Sequence, residues 1–441
     1  MNFPHHNPTF IIKTLGCKVN QYESEVMRQS LLRSGYDESG NPELADIYIV
    51  NSCTVTHKAD RNTRRLIRHF HKINPKAKMV VCGCYAELKE DREVLSQIPG
   101  VTWLVRNREK GRIREMLSSV IASPVEGFAR NDRLLSSFKD RDRAFVKIQD
   151  GCNHRCSYCK VVLVRGPSAS RCEKEILNEI SQLIQSGHKE IVLTGVCLGG
   201  WGRDFKKHLT LGYLLNKICG LKENFRLRIS SIEPIYVTSE LVNAVWKLPK
   251  ICKHFHIPLQ SGDDKILKAM NRSYNTKQFL TLLKRIKKKL PNFAFTTDVM
   301  VGFPGEDENS FRKTYGFLKR IKPSRVHIFT YSKRIGTRAS GFGEIPDAGK
   351  LKVRKEILKK LTHFLAIQYA GKFKNKIIHV LVESKRDKFT QLLTGYTDTY
   401  IKVLLDGPDS LLNCLVPARI LKVSGNGIFA KPLNLDKGLS V

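Results

Sequence analysis

Short apolar runs alternate with amphipathic stretches along most of this chain, and no other feature restricts its fold so strongly. From Phe10 to about Leu117 the order is FIIKTL, a helix from about Gln21, DIYIVN, a helix from about Lys58, KMVVCG, VTWLV and a last helix. A βαβα order implies a mostly parallel sheet covered by helices on both faces. The pattern resumes with AFVKIQ and continues through EIVLTG, RLRISS, HFHIPLQ, FTTDVMVG and RVHIFTY to a long helix from about Ala348 to Lys372. About six βα units predict an open or partial barrel, with its chemistry at the C-terminal strand ends. From about Asn375 the texture changes to short strands, IIHVLVES, TYIKVLLD and CLVPARILKVS, separated by Gly, Pro and Asp turns. Such a segment suits a small closed or nearly closed β-barrel.

The fold class is therefore α/β, in three parts. Residues 8–120 form a doubly wound parallel-sheet domain, 143–372 an open or partial (βα)6 barrel, and 373–441 the small β-barrel. Residues 121–142 are polar, lack periodicity and read as a linker. A length of 441 residues agrees with two or three domains. There is no repeat of 20–50 residues and no low-complexity tract.

The formal charge of +35 is extreme for an enzyme of small acids or sugars and points to a polyanionic partner, nucleic acid first. Most of the excess lies in residues 140–370, with 43 basic against 20 acidic side chains. Any one basic run, such as KQFLTLLKRIKKK from Lys277 to Lys289, reads equally well as a solvated helix face. No run approaches the roughly 18 apolar residues of a membrane span, and the start, MNFPHHNPTFIIKTL, lacks the pattern of a signal peptide. A cytoplasmic protein without a membrane partner is expected, with a monomer favoured. Its twelve cysteines then read as metal ligands or reduced thiols rather than disulfides.

Six of those cysteines form two groups. Cys152, Cys156 and Cys159 fall within GCNHRCSYC, directly after a strand. Three thiolates on one loop can hold three irons of a cubane and leave the fourth open. Zinc is the alternative, but structural zinc sites usually take four ligands arranged as CxxC pairs. Cys17, Cys53 and Cys84 each fall just past one of the first three strands, where an open α/β sheet binds its ligands. The other six, Cys82, Cys172, Cys197, Cys219, Cys252 and Cys414, read as small buried hydrophobes.

The CxxxCxYC triplet resembles the signature of the radical S-adenosylmethionine superfamily. Arg165-Gly166 and Ser170-Arg171 resemble the RGxxxSR continuation of its methylthiotransferase branch. The phrases TLGCKVNQYESE, NSCTVTHKADRNTRRLIR and VVCGCYAE resemble that branch's N-terminal domain, and LTGVCLGGWGRD, SSIEP, HFHIPLQSGDDKILKAMNRSY, TTDVMVGFPGED and FTYSKRIGTRAS its barrel. Gly395-Tyr396-Thr397 lies in a segment that resembles a TRAM domain, an RNA-binding barrel. The chain departs from the branch at Lys160-Val161-Val162, where IIP is usual, and at Thr330 and Ile335, which replace prolines.

The resemblance implies two 4Fe–4S clusters and S-adenosylmethionine. Cys152, Cys156 and Cys159 would hold the catalytic cluster that cleaves the cofactor to a radical, and Cys17, Cys53 and Cys84 an auxiliary cluster that carries the sulfur. Tyr158, within the triplet, joins the cofactor contacts. Thr194 and Gly195 would face the methionine part, Glu233 and Gln260 its polar groups, and Val301 and Gly302 the adenine; a turn or a satisfied core polar group explains each of these six equally well. The substrates implied are adenosine 37 in the tRNA anticodon loop, bearing a threonylcarbamoyl or an isopentenyl group, or an aspartate of a ribosomal small-subunit protein. The phrase GCKVNQYE, from Gly16 to Glu23, resembles the threonylcarbamoyladenosine branch, and the charge favours tRNA over a basic ribosomal protein. An electron donor is a further expected partner. An RNA-binding iron–sulfur protein without catalysis is the alternative from another class.

Overall fold

The computed structural model describes residues 7–118, 135–138, 142–425 and 427–433. The linker reading for 121–142 therefore falls mostly outside the described residues, 135–138 and 142 excepted. Contacts divide the chain into two compact units: 1–139, 149–169 and 332–340 in the first, and 140–148, 170–331 and 341–441 in the second.

In the first unit β1 (Thr9–Thr14), β2 (Asp37–Glu38), β3 (Ile47–Ser52), β4 (Lys78–Gly83) and β5 (Val101–Val105) form one parallel sheet in the order β2-β1-β3-β4-β5. Alternating strand residues serve opposite faces. Tyr48, Val50, Met79 and Val81 pack on Ile67 and Phe70 of α2 (His57–Ile73) and Leu95 of α3 (Lys89–Ser96). Ile47, Ile49, Val80 and Cys82 pack instead on Met27 and Leu31 of α1 (Lys18–Leu32) and Ile113 and Leu117 of α4 (Ile113–Ser118). The helix expected from about Gln21 thus starts at Lys18, directly behind Cys17.

The second unit holds most of a six-stranded open (βα) array. Its strands are β6 (Ala144–Asp150), β8 (Glu190–Gly195), β9 (Arg226–Ile229), β10 (His254–His256), β11 (Ala294–Val301) and β12 (Arg325–Thr330), with the two-residue β7 (Ala169–Ser170) beside β6. A bridge between Ser231 and His256 joins the β6–β9 sheet to the β10–β12 sheet. The short α5 (Val161–Arg165) belongs to the first unit; α6 (Glu173–Gln185), α7 (Leu211–Cys219), α8 (Ser239–Lys247), α9 (Asp264–Ala269), α10 (Thr276–Lys289), α11 (Glu308–Ile321) and α12 (Ala348–Gly371) follow in chain order in the second. The expected strand HFHIPLQ ends at His256, because Pro258 has no N–H to offer the ladder.

Residues 377–432 close into a barrel of five strands, β13 (Ile377–Arg386), β14 (Leu393–Thr397), β15 (Lys402–Leu405), β16 (Leu415–Ser424) and β17 (Gly427–Pro432), in the order β13-β14-β15-β17-β16. Sequence patterning finds three of the five; β14 and β17 are rich in Gly, Thr and Pro and read as turns.

The turn between β14 and β15 seats on the N-terminal ends of the (βα) strands. Glu190, fully buried, pairs with both Arg226 and Arg228. Their guanidinium groups also donate to the backbone carbonyls of Tyr396 at 2.7 Å, Thr397 at 3.0 Å and Asp398 at 2.9 Å. The ring of Tyr400 lies 4.5 Å from the Arg228 guanidinium and 5.2 Å from the His254 ring. One carboxylate against two guanidinium groups would be a costly burial without those carbonyls, which satisfy the remaining donors.

Candidate functional site

Cys17, Cys53 and Cys84 converge because the register makes them converge. In the ladders Thr14 lies opposite Asn51 and Ser52 opposite Gly83, so the chain leaves all three neighbouring strands at the same height. Cys17 occupies the N-cap of α1 and its side chain makes no capping hydrogen bond. Cys53 and Cys84 are buried, whereas Cys17 is exposed. Burial pushes the Cys53 thiol up to about 12, and the nearby charges of Cys84 and Cys17 push the same way.

The donor set fits an iron–sulfur cluster: three soft sulfur ligands, all reduced, on one rim. The backbone around them leaves no room to spare. Gly16 has φ +108, and a Cβ there would stand 2.7 Å from Cys53 Cβ and 3.0 Å from its Sγ. Gly83 has φ +97, and a Cβ would stand 2.3 Å from the Ser52 carbonyl oxygen.

The loop carrying Cys152, Cys156 and Cys159 belongs to this same unit. Gly151, φ +66, opens the loop where a Cβ would fall 1.9 Å from the Pro167 carbonyl oxygen. The buried Gln149 amide clasps its base, donating to the Gly151 carbonyl at 2.8 Å and to Ser168 Oγ at 2.9 Å. Cys152 N–H donates to the Gly166 carbonyl at 3.1 Å, Cys159 N–H to that of Cys156 at 3.1 Å, and Ala339 N–H to that of Ser157 at 2.8 Å. Tyr158 sits half-buried within the loop. The departure at Lys160 has a structural counterpart: its ammonium is buried and meets Asp91 Oδ2 at 2.7 Å.

Arg165 ties the loop to the first triplet. Its guanidinium reaches Glu23 at 2.9 Å, Asp150 at 3.0 Å and Asn20 Oδ1, while Lys110 meets Glu23 at 2.6 Å. Two cations and two carboxylates balance, so the buried network is close to neutral. Burial alone would lower the Arg165 pKa, but Glu23, the Cys84 sulfur and Asp150 hold it well above the usual value. A second buried bridge, Arg334 to Asp60 at 2.7 Å with Thr54 Oγ1 at 2.7 Å from Arg334, braces the segment after Cys53.

The remaining expected cofactor residues lie in the second unit. Thr194 and Gly195 end β8, Val301 ends β11, and Gly302, φ +76, follows it and donates to Glu306 at 3.1 Å. Gln260 is buried with φ +67 and is stitched to β11, its N–H donating to the Asp298 carbonyl at 2.8 Å and its carbonyl accepting from Met300 at 2.9 Å. A non-glycine residue held at positive φ is a strained position of the kind that gathers at binding sites. Glu233 is ion-paired with Arg272, which puts a competing cation beside the polar contact expected of it.

Of the six cysteines read as buried hydrophobes, Cys82, Cys197 and Cys252 are buried. Cys172 is exposed, and Cys219 and Cys414 are half-buried, which corrects that reading. Cys172 and Cys219 sit at the ends of α6 and α7, where side chains meet water.

Residues 9–105 match the model of the uncharacterized protein family UPF0004, and residues 146–318 match the radical SAM superfamily. The chain is 37% identical over 428 residues to the threonylcarbamoyladenosine tRNA methylthiotransferase MtaB of Bacillus subtilis, covering 94% of each chain. The chain belongs to this methylthiotransferase family. A second member, from Thermotoga maritima and of the same description, is 37% identical over 405 residues, 89% of this chain and 90% of that one. The solved structure of the radical S-adenosylmethionine methyltransferase TsrM from Kitasatospora setae aligns with a TM-score of 0.53 at 12% identity, over 73% of each chain, a likeness of fold alone.

Within this methylthiotransferase the sequence alone misses the partners of Arg165, namely Asn20, Glu23 and Asp150, the Lys110 that shares Glu23 with it, and a cluster of His256, Asp298 and His327 in the second unit. Glu23 and the HFH and TTD phrases stood inside quoted motifs, but nothing in a linear reading says which of their side chains meet.

Proposed function

We propose that this protein is a tRNA methylthiotransferase that adds a methylthio group at carbon 2 of N6-threonylcarbamoyladenosine 37 in the anticodon loop. The observation that carries the reading is the presence of two three-thiol groups in one compact unit of a chain from this family. Inserting sulfur at an unactivated C–H bond demands a way to break that bond and a carrier for the sulfur, and two separate thiol sets answer two separate demands. Bound there, 4Fe–4S clusters would supply the electron that cleaves S-adenosylmethionine at Cys152, Cys156 and Cys159, and a sulfur-bearing site at Cys17, Cys53 and Cys84.

The chain's own residues orient and shield. Gly16, Gly83 and Gly151 bring backbone against the cysteine positions. Arg165, Glu23, Asp150 and Lys110 hold the second triplet's loop against the helix that begins after Cys17. Tyr158, Thr194, Gly195, Glu233, Gln260, Val301 and Gly302 bind S-adenosylmethionine, supported by the strand-end placement of Thr194, Gly195, Val301 and Gly302 and by the positive φ of Gln260. The division runs 8–120 for the auxiliary-cluster domain, 121–142 for the linker, 143–372 for the radical barrel and 373–441 for a TRAM-like barrel that grips RNA. The closed five-stranded form of 377–432 and the net charge of +35 support that last role. The protein acts in the cytoplasm, as a monomer, with an external electron donor. Among the described residues no helix is long and apolar enough to cross a membrane.

Mass spectrometry of tRNA nucleosides from cells with and without the gene tests this. Loss of 2-methylthio-N6-threonylcarbamoyladenosine is expected; intact tRNA with loss of methylthio-aspartate from the ribosome would overturn the substrate. Anaerobic reconstitution should give two cubane clusters per chain and 5′-deoxyadenosine, whereas one zinc and no cleavage would leave only an RNA-binding protein.

A further inference from the structure

The inner face of β10, β11 and β12 carries a polar cluster that no role above uses. Phe295 of β11 packs its ring against Phe279 of α10, so the face bearing Thr296 and Asp298 is the one turned away from the helices. Register places Thr296 beside His256 and Asp298 beside His327. His256 Nδ1 lies 2.9 Å from Thr296 Oγ1 and its Nε2 lies 3.1 Å from Asp298 Oδ2; His327 Nδ1 lies 3.2 Å from Asp298 Oδ1. The two imidazoles are nearly parallel with centroids 5.3 Å apart.

Each Asp298 oxygen therefore serves one imidazole. Burial would raise this carboxyl, but the hydrogen bonds from His256 and His327 hold it well below the usual carboxylate range. Both rings are fixed, and with Nδ1 engaged, Nε2 is the remaining hydrogen-bonding atom of the His327 ring, whose side chain is 42% exposed. The exposed ring of Phe329 follows on the same strand face, 6.5 Å away, a flat apolar surface beside a polar one.

We infer that His256, Asp298 and His327 recognise the threonyl group of the substrate nucleoside, His327 giving Nδ1–H to Asp298 and, with a second proton on the ring when the substrate is bound, Nε2–H to the substrate carboxylate. This rests on the tRNA methylthiotransferase reading and sharpens it. The threonylcarbamoyl group offers a carboxylate, a hydroxyl and a urea; an isopentenyl group offers no polar atom. Docking the latter here would strip water from an ionised carboxylate–imidazole cluster and return nothing. Sites built to hydrogen-bond a substrate group reject analogues lacking it by as much as about 10⁴–10⁵.

The test uses reconstituted holoenzyme and two tRNAs, one bearing threonylcarbamoyladenosine and one its neutral carboxamide counterpart. The native enzyme is expected to prefer the carboxylate by about 10–100-fold in kcat/KM, the range of a charge-assisted hydrogen bond. His327→Ala should bring that ratio close to one, and His327→Gln, which keeps a donor, should restore part of it. A loss of folding lowers both rates together and leaves the ratio alone, so a preference that survives in His327→Ala overturns the inference while methylthiolation itself stands. Native enzyme that modifies isopentenyl tRNA and ignores threonylcarbamoyl tRNA overturns the reading beneath it. The three ligand atoms lie within 4.8 Å of one another, which also suits a divalent cation. A stoichiometric non-iron metal that disappears in His327→Ala would make the cluster a metal site instead.

Discussion

Gly16 stands where almost no other residue fits. Any side chain there would be driven into Cys53 on a backbone already at φ +108. Gly16→Ala should therefore lose the auxiliary cluster and keep the other, so that iron analysis after reconstitution returns about half the native content. Full loading would show that Cys53 can move aside. Arg165 is bound by different constraints. Arg165→Ala leaves Glu23 sharing only Lys110 and Asp150 without its cation, and breaking a buried pair costs about 3–5 kcal/mol. Anaerobic denaturant unfolding should register most of that loss, and Arg165→Lys should recover only a fraction, since an ammonium cannot reach Asn20, Glu23 and Asp150 together. The cysteines were legible in the sequence because each marks a strand end or sits in one tight loop. The network around Arg165 was not, because Glu23, Lys110 and Asp150 come from separate elements and meet only after the sheet is built.

At the scale of elements, the parallel sheet and the (βα) array follow closely from the alternation of apolar runs, and the largest errors fall where chemistry interrupts the pattern. Pro258 stops β10 early, and β14 and β17 hide among turn-forming residues. How β8 and β9 meet the C-terminal barrel was invisible, since a sequence shows Glu190, Arg226 and Arg228 as three surface charges. They are instead one buried unit. Burial would raise the Glu190 carboxyl, but Arg228 and Arg226 lower it from 4.5 to about 2. A depressed folded-state pKa means stability that is complete above about pH 4.5 and is lost as pH falls toward 2, worth about 3 kcal/mol in all. Thermal unfolding across pH 3–6 should show that acid limb, and Glu190→Gln should flatten it while lowering stability at neutral pH. In the same variant, limited proteolysis near residues 373–376 should release the C-terminal barrel faster; an unchanged digestion rate would mean the barrel is held by its apolar contacts alone.

For the molecule as a whole, the excess of 43 basic over 20 acidic side chains in residues 140–370 sets how it meets its substrate. Each neutralised phosphate contributes a slope of roughly −0.9 to −0.7 in log affinity against log salt. Binding of unmodified tRNA should weaken at least about tenfold between 50 and 200 mM salt, as measured by filter binding or anisotropy. A flat salt dependence would return the basic helices, α10 among them, to the role of solvated faces. Fold class and charge were both readable in advance; what joins the parts was not, because it rests on contacts between residues far apart in sequence. Among those contacts, the turn that carries Tyr400 under His254 and Arg228 reaches furthest. Arg226 and Arg228 give their remaining donors to the carbonyls of residues 396–398, so a chain without that turn would keep two guanidinium groups in the interior with hydrogen bonds unmet. Chains shortened before residue 373 should therefore unfold more readily as a whole, in thermal melts, rather than simply lack their last strands.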